Sequence, residues 1–338
     1  MMATTLTDIF ESTPSPVRGS PDKPLYSVMP VPDYANCFVG KDRESLACIL
    51  ISMSDQAGKP HPPIRLESLD VHFELRCRLK NFGEPEREGT FTVIRCRDSN
   101  IETIRYFLSV CETILRILGD NPARTQIAAT VNRLAAIFQR VQQPPARPLN
   151  GLFGELFILF RSGNAVRALT AWRVDENARF DFSDGDIRLD VKAAGGRSRI
   201  HTFSYEQCNP PVGTLAVVAS LHAEQAAGGV SLHNLIKRIE YRVSSHADLV
   251  LKLHETIAAT LGASLNNSLS ISFDMRLTES SLRFFSLEDV PAIRGPLPAG
   301  ISDVHFRSDL SSLPSLSAEA LIDQDPVFWD LLPKEDDT

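Results

Sequence analysis

This chain of 338 residues contains few lysines, no closely spaced cysteine pair and no long apolar run. The formal net charge is −7, which argues against a protein that coats nucleic acid indiscriminately. Only 8 of the 35 basic residues are Lys, and the other 27 are Arg, the side chain suited to bidentate phosphate contact. No apolar run reaches the roughly 18 residues of a membrane span, and no basic-then-apolar secretory signal begins the chain. We therefore expect a cytoplasmic protein without a membrane partner.

Cysteine occurs without the spacing that metal sites and disulfide frameworks require. The sequence contains no C-x-x-C pair, and no two His residues stand four apart with an acid between them. Cysteines scattered through apolar segments indicate buried, reduced thiols rather than a disulfide framework or a zinc site. They stand at positions 37, 48, 77, 96, 111 and 208.

A proline-rich segment over 144–148 is the best domain boundary, since it follows two amphipathic helices expected near 100–118 and 123–141. We predict a mixed α/β (α+β) fold, in which a β-rich N-terminal domain precedes a central mixed sheet flanked by helices. The predicted divisions are a disordered, Ser-, Thr- and Pro-rich N-terminus over 1–24, the β-rich domain over 25–147, a core over 148–290, and an extension with an acidic tail over 291–338. Within the core the expected order is helix 151–162, hairpin 179–194, strands 199–205 and 214–221, helix 231–261 and strand 269–277.

One strand of the N-terminal domain carries a row of basic side chains. From Val71 to Lys80, apolar residues alternate with charged ones, as in a half-buried antiparallel strand. A basic sheet face for DNA can be formed by Arg76, Arg78 and Lys80 of this strand, with Arg95 and Arg97 of a later one. An ordinary solvated face explains the same pattern.

The middle of the chain predicts a β-hairpin with its charges on one face. An Asp-Gly turn at 184–185 would place Asp181 opposite Arg188. Because side chains alternate along a strand, Asp181, Asp190 and Lys192 then project to one side. Two carboxylates and a lysine can hold a divalent metal and stabilise charge on a phosphate, although a surface hairpin with cross-strand ion pairs fits as well. The apolar side holds Phe180, Phe182, Ile187, Leu189 and Val191.

A third acid lies in a helix that is apolar all round. Glu155 is the only ionisable residue of Gly151–Phe160. Because burying an unpaired carboxylate is costly, such a group needs a metal or a cationic partner. Arg147 and Arg161 are the nearby candidates.

An acid two residues before a lysine means little alone, because about one such match is expected by chance from this composition. In context, the segments GLFGELFILF, FDF at 180–182, LDVK at 189–192 and RSRIHTFSYEQ at 197–207 resemble the PD-(D/E)XK nuclease superfamily. More narrowly, they resemble the bacterial "PD-(D/E)XK motif protein" family of restriction and phage-defence gene clusters. Phe180 replaces the Pro of the motif, and Asp190 stands where Glu is commoner.

The resemblance implies a restriction-endonuclease-like core and a role for each residue. Asp181, Asp190 and the Val191 carbonyl would bind Mg²⁺, for which Mn²⁺ would substitute, and Glu155 would complete the metal shell directly or through water. Lys192 would orient or activate a water and stabilise charge on the phosphate. The expected reaction is metal-dependent hydrolysis of a DNA phosphodiester.

Downstream of Lys192, four further residues are weaker candidates for contact with nucleic acid. Arg197, Arg199 and His201 alternate with uncharged residues, so on a third strand they would form a basic row beside the acids. A charged edge strand explains this row equally well. Gln207 is a candidate because a glutamine follows the lysine strand in several related nucleases.

We therefore expect a Mg²⁺-dependent DNA endonuclease of a bacterial restriction or phage-defence system. The alternative is a catalytically inactive DNA-binding or assembly subunit, and the sequence does not separate DNA from RNA. No Gly-rich phosphate loop is present, so any ATP hydrolysis must come from a partner. The expected partners are DNA, an ATPase/helicase or a methyltransferase, and a second copy of the chain for double-strand cleavage.

Overall fold

The computed structural model describes residues 5–16, 24–52, 61–81, 85–174 and 178–333. Its class is mixed α/β with a β-rich N-terminal region, which confirms the expected fold class. The strands are β1 Leu25–Val31, β2 Tyr34–Lys41, β3 Ala47–Ser52, β4 Ile64–Arg65, β5 Leu69–Asn81, β6 Arg87–Cys96, β7 Phe182–Asp184, β8 Ile187–Ala194, β9 Ile200–Ser204, β10 Leu215–His222, β11 Gln225–Ser231, β12 Ser272–Phe273, β13 Arg283–Ser286 and β14 His305–Asp309. The helices are α1 Leu6–Ser12, α2 Ile101–Leu118, α3 Arg124–Arg140, α4 Leu149–Arg161, α5 Ala165–Ala171, α6 Tyr205–Cys208, α7 Leu232–Arg242, α8 Ala247–Leu261, α9 Leu265–Leu269, α10 Met275–Ser281, α11 Ala318–Gln324 and α12 Val327–Leu331, with a 3₁₀ turn at Gly262–Ser264.

The chain forms two compact units. Unit 1 comprises residues 1–144 and 250–266, and unit 2 comprises residues 145–249 and 267–338. The first division falls inside the proline-rich segment, whereas residues 250–266, expected in the second domain, return to unit 1. Within the part of the chain that the structure describes, no helix has the length and apolar character needed to cross a membrane.

In unit 1 the sheet closes on itself. Its strand order is β1-β2-β3-β6-β5-β4, and β1 also pairs with β5 in parallel, so five strands form a ring. A bulge between His72 and Leu75, where Glu74 has a φ of 55°, bends β5 along its length. Alternating apolar residues of the ring form one core cluster, as their period of two predicts: Tyr26, Val28, Cys48, Leu50, Cys77, Leu79, Phe91 and Val93.

The N-terminal segment expected to be disordered contains a helix. α1 begins with a capping box, in which Thr5 accepts the Asp8 N–H and Asp8 accepts the Thr5 N–H. Its apolar side is buried in unit 1. The expectation for 1–24 was wrong here because the Ser, Thr and Pro content outweighed this short cap signal. Residues 1–4 and 17–23 lie outside the described residues.

Unit 2 is built on a four-stranded mixed sheet of order β13-β10-β8-β7. β8 and β10 run parallel, and each edge strand is antiparallel to its neighbour. Gly154 lets α4 lie close to this sheet, because a Cβ at that position would stand 2.8 Å from the Ala193 Cβ. The helix that carries Glu155 is thereby held against the strand that carries Asp190.

Two predicted elements of unit 2 were wrong in extent. The helix predicted over 231–261 is two helices, α7 and α8, because the intervening residues 243–246 are Val-Ser-Ser-His, which compete poorly for helical conformation. The strand predicted over 269–277 is confined to β12. It stops there because Asp274 caps α10 by accepting the Leu277 N–H at 3.0 Å.

The C-terminal extension takes part in unit 2. β14 pairs antiparallel with β9, with Phe306 opposite Phe203. The acidic tail predicted at 335–337 lies outside the described residues.

All six cysteines are buried and free, as their spacing predicted. Burial raises the pKa of the Cys37 and Cys77 thiols to about 12. These thiols pack as small apolar side chains.

Candidate active site

The turn that positions the two aspartates begins one residue later than predicted. β7 and β8 pair with Ser183 opposite Arg188, so the two-residue loop starts at Gly185, whose φ is 53°. The predicted pairing of Asp181 with Arg188 is therefore wrong. The turn moves by one residue, so the cross-strand pairing shifts by two residues. Because this shift is even, the side chains of the two strands keep their predicted faces.

Asp181, Asp190 and Lys192 come together at this hairpin. Lys192 Nζ lies 2.9 Å from Asp190 Oδ2. Asp181 Oδ2 accepts a hydrogen bond of 2.9 Å from the backbone N–H of Val191, the residue between the other two. Both aspartates are buried. The cluster is held by the backbone of β8 as well as by its side chains.

Gln207 joins the same cluster from α6. Its Nε2 donates to Asp190 Oδ1 at 2.9 Å and to the Arg179 carbonyl at 2.9 Å. Its Oε1 accepts from the Ser204 N–H at 3.1 Å and lies 3.4 Å from Lys192 Nζ. This glutamine therefore links the acid to the lysine and fixes both to the start of α6.

Glu155 is bound by a cation that neither sequence candidate supplied. Its Oε2 accepts from Trp172 Nε1 at 2.6 Å and from Arg173 Nε at 2.8 Å, and its Oε1 accepts from Arg173 Nη2 at 2.6 Å. Arg161 pairs with Glu279 instead, and Arg147 approaches Asp181. The carboxylate is 3% exposed and both of its oxygens are occupied, which is how a buried acid is stabilised without a metal.

Arg173 also supports the strand of Asp181, a role the sequence analysis missed. Its N–H donates to the Asp181 carbonyl at 2.8 Å, and Trp172 forms an isolated β-bridge with Phe182. Its φ of 40° lies in the left-handed region, which a non-glycine residue adopts at some cost in strain. The sequence indicated only that the buried Glu155 needs a metal or a cationic partner, and it gave no reason to choose Arg173 among the arginines.

Burial dominates the electrostatics of the two aspartates. It raises the pKa of Asp181 to about 7, helped by the charge of Glu155 and opposed by the Val191 N–H and by two arginines. It raises the pKa of Asp190 to about 6, against the attraction of Lys192. Near neutral pH Asp181 is therefore partly protonated, whereas Asp190, beside Lys192, is mostly ionised, and a bound divalent cation would displace the remaining protons.

The predicted basic row does not lie beside the acids on a third strand of their sheet. β9 pairs with β14 in a separate two-stranded sheet. His201 Nε2 lies 2.8 Å from Ser220 Oγ, and Arg199 donates to the same hydroxyl and to the Ser281 carbonyl. Arg197 has a side chain 76% exposed and pairs with Glu224 at 3.4 Å. A phosphate contact by these residues stays a prediction.

The basic candidates of unit 1 are paired with acids across the strands. Arg76 lies 3.5 Å from Glu88, and Arg78 lies 3.3 Å from Glu86. These are ordinary cross-strand ion pairs of an exposed sheet face. A contact of Arg76 and Arg78 with nucleic acid also stays a prediction.

Two buried aspartates side by side fit a divalent cation. Asp190 Oδ2 is buried, and within the described ranges the ammonium of Lys192, at 2.9 Å, is its partner. Mg²⁺ commonly binds one or two protein carboxylates and keeps several waters. Glu155, expected in the metal shell, has both oxygens engaged elsewhere, and the described residues hold no group of three His, Cys, Asp or Glu side chains suited to a metal. The donor set present is thus that of a partly hydrated ion on Asp181 and Asp190.

A known family matches most of the chain. Its model, described as "Putative PD-(D/E)XK family member, (DUF4420)", covers residues 14–311. No curated protein and no solved structure matches. The matched region includes the four predicted catalytic residues, Glu155, Asp181, Asp190 and Lys192.

Proposed function

This chain belongs to the PD-(D/E)XK family DUF4420, and on that premise we propose that it is a Mg²⁺-dependent nuclease that hydrolyses phosphodiester bonds of DNA. One observation supports the proposal above the others. Two buried aspartates with raised pKa values stand beside a lysine, whose Nζ lies 2.9 Å from Asp190 Oδ2. Strongly perturbed carboxyls grouped with a cation are typical of catalytic sites.

Each side chain has a distinct part in this reaction. Asp181 and Asp190 would hold the cation, which supplies polarisation of the phosphate and an acidic bound water. Gln207 holds Asp190 through Oδ1, so Oδ2 faces Lys192, whose Nζ lies 2.9 Å away. Lys192, whose ammonium also lies 4.8 Å from the centre of the Phe203 ring, would donate to a phosphate oxygen as negative charge develops there.

The biological setting is a second, separate proposal. From the resemblance to restriction and phage-defence proteins, we propose that the chain acts in such a system. Its partners would be an ATPase/helicase or a methyltransferase, and a second copy of the chain would serve double-strand cleavage.

Cleavage of supercoiled plasmid in Mg²⁺ or Mn²⁺ tests the nuclease proposal. We expect nicking by the wild type, and a loss of about 10²-fold or more in Asp190→Asn and Lys192→Ala, because both residues act on the reacting phosphate. Arg276→Ala is the control, since Arg276 is an exposed arginine of α10 in the same unit.

Two results would count against the proposal. A wild type that stays inert in both metals, yet binds DNA as well as Asp190→Asn does, would favour the DNA-binding or assembly role. Cleavage that survives in both variants would mean that another site, or a contaminant, carries the activity.

A further inference from the structure

A second polar site lies in unit 2, at the C-terminal end of α4. It is a pocket of about 500 Å³ that combines three cations, two aromatic rings and an amide, with no acid among its walls. None of the active-site acids lines it. The walls are Phe160, Asn234, Lys237, Arg238, Tyr241 and Arg242.

The pocket follows from the amphipathic pattern of α7. Apolar residues such as Leu235 and Ile239 are buried on one side of the helix. Asn234, Arg238 and Tyr241 stand three or four residues apart, so they share the opposite, exposed side. Helical spacing alone therefore gathers an amide, a guanidinium and a phenol ring on one surface.

The three cations of the pocket differ in what they already bind. Arg242 donates to the carbonyls of Leu159, Phe160 and Ser162, so it caps the end of α4 and forms a fixed wall. Lys237 Nζ donates to Glu240 at 2.8 Å.

Arg238 is the cation left for a ligand. It is exposed, and within the described ranges no acid pairs with it. Its guanidinium lies 5.6 Å from the centre of the Phe160 ring. This cation–π contact holds the guanidinium near the ring and uses none of its N–H donors on an acid.

We propose that this pocket binds a single-stranded segment of nucleic acid, with Tyr241 stacking on a base and Arg238 binding a phosphate. Tyr241 is 83% exposed, so its ring is accessible to a ligand. An aromatic platform beside cations is the chemistry of single-strand binding, because unpaired bases stack on rings and phosphates bind arginine. The bases of a duplex are already stacked on one another, so Tyr241 has no comparable partner there. The choice of DNA as the strand rests on the proposed nuclease function.

Binding of labelled oligonucleotides in EDTA tests the pocket without cleavage. The probe is a fluorescein-labelled oligothymidylate of about 12 nucleotides, read by anisotropy, beside a duplex of equal length. We expect Arg238→Ala and Tyr241→Ala each to weaken single-strand binding about tenfold. Tyr241→Phe should bind like the wild type, because the ring remains. Arg276→Ala is the matched control for loss of one exposed positive charge.

The salt dependence separates the two contacts. Removal of one phosphate contact should lower the slope of log K against log salt by about 0.7 in Arg238→Ala, whereas Tyr241→Ala should keep the wild-type slope. Because this binding is measured in EDTA and needs no cleavage, failure of the nuclease proposal would leave the result intact.

Several results would overturn the pocket assignment. One is absence of single-strand binding by the wild type, and another is an equal loss in Arg276→Ala. Equal losses for strand and duplex would make Arg238 a duplex phosphate contact instead. Displacement of the oligonucleotide by dTMP with an affinity equal to that of the strand would indicate a mononucleotide site.

Discussion

At the scale of single residues, the candidate site is a set of buried acids that are compensated to different degrees. Glu155 has a bidentate partner in Arg173, and Asp190 has Lys192 at 2.9 Å. Asp181 has one backbone N–H and, at 3.4 Å, Arg147, whose side chain is 42% exposed. Because the weakest compensation goes with the largest rise in pKa, Asp181 is the group whose charge most needs a cation.

Asp181→Asn should stabilise the metal-free protein at about pH 8 and have less effect at about pH 5. The folded pKa of Asp181, about 7, lies above its unfolded value, so its contribution to stability is full below the unfolded pKa and is lost as the pH rises through about 7. At the higher pH the wild type buries a charge that Asn lacks. Thermal unfolding in EDTA, followed by circular dichroism, measures the difference.

Asp186→Asn is the control for this experiment, because Asp186 is exposed in the adjacent hairpin loop. It should not stabilise the protein at about pH 8, because it removes no buried charge. A difference for Asp181→Asn that is the same at both pH values would contradict the raised pKa.

Gln207→Ala should slow cleavage by about 10–100-fold with little change in KM for DNA. The substitution removes the donor that fixes Asp190 Oδ1 and the oxygen near Lys192 Nζ, so both groups gain freedom without losing their charge. Steady-state kinetics measure the effect, and a melting curve shows whether α6 survives. Wild-type kinetics in a folded variant would show that this bridge is incidental to catalysis.

At the scale of elements, α4 depends on its glycines unequally. A Cβ at Gly154 would meet Ala193 Cβ at 2.8 Å and Val191 Cγ1 at 3.1 Å, whereas a Cβ at Gly151 would meet nothing within 4 Å. The sequence pattern Gly-x-x-Gly did not distinguish them. Of the two, only Gly154 lies where α4 approaches the sheet.

Gly154→Ala should therefore destabilise the protein by about 1–3 kcal/mol, since α4 must move away from β8. Gly151→Ala is the matched substitution and should be neutral or stabilising by up to about 1 kcal/mol, because Ala favours the helix. Urea unfolding measures both. Equal effects at the two positions would show that α4 tolerates a shift from the sheet.

Elements and site were predictable where local periodicity decides the structure. A period of two fixed the faces of β7 and β8, so Asp181, Asp190 and Lys192 were placed together even though the turn was off by one residue. The partner of Glu155 was not predictable, because nothing in a one-dimensional pattern selects one arginine among 27. The left-handed backbone of Arg173 likewise depends on tertiary contacts that strand and helix propensities do not contain.

At the scale of the whole molecule, unit 1 is assembled from two separate parts of the chain. Arg133 Nε donates to Glu255 Oε1 at 2.9 Å, and the Tyr106 and His254 rings lie 5.4 Å apart. The N–H of Ala263 donates to the carbonyl of Gln143 at 2.7 Å. Most of the α8 residues that belong to unit 1 are buried, so residues 250–266 contribute to the core of unit 1.

A fragment of residues 1–144 should consequently fail to fold stably. It lacks 250–266 and would expose the apolar surface that this segment covers. We expect increased binding of an apolar dye and a loss of cooperative melting, both reversed when a peptide of residues 250–266 is added. Cooperative melting of the fragment alone, at the temperature of the full chain, would contradict this expectation.

The six buried thiols have a practical consequence for spectroscopy. Maleimide reagents need an accessible thiolate, and burial withholds both access and ionisation from every native cysteine. Val212, in a loop of unit 2, is 108% exposed, so Val212→Cys would add one fast-reacting position to an otherwise silent background. A single fluorophore could therefore be attached at one chosen position without removal of any native sulfur.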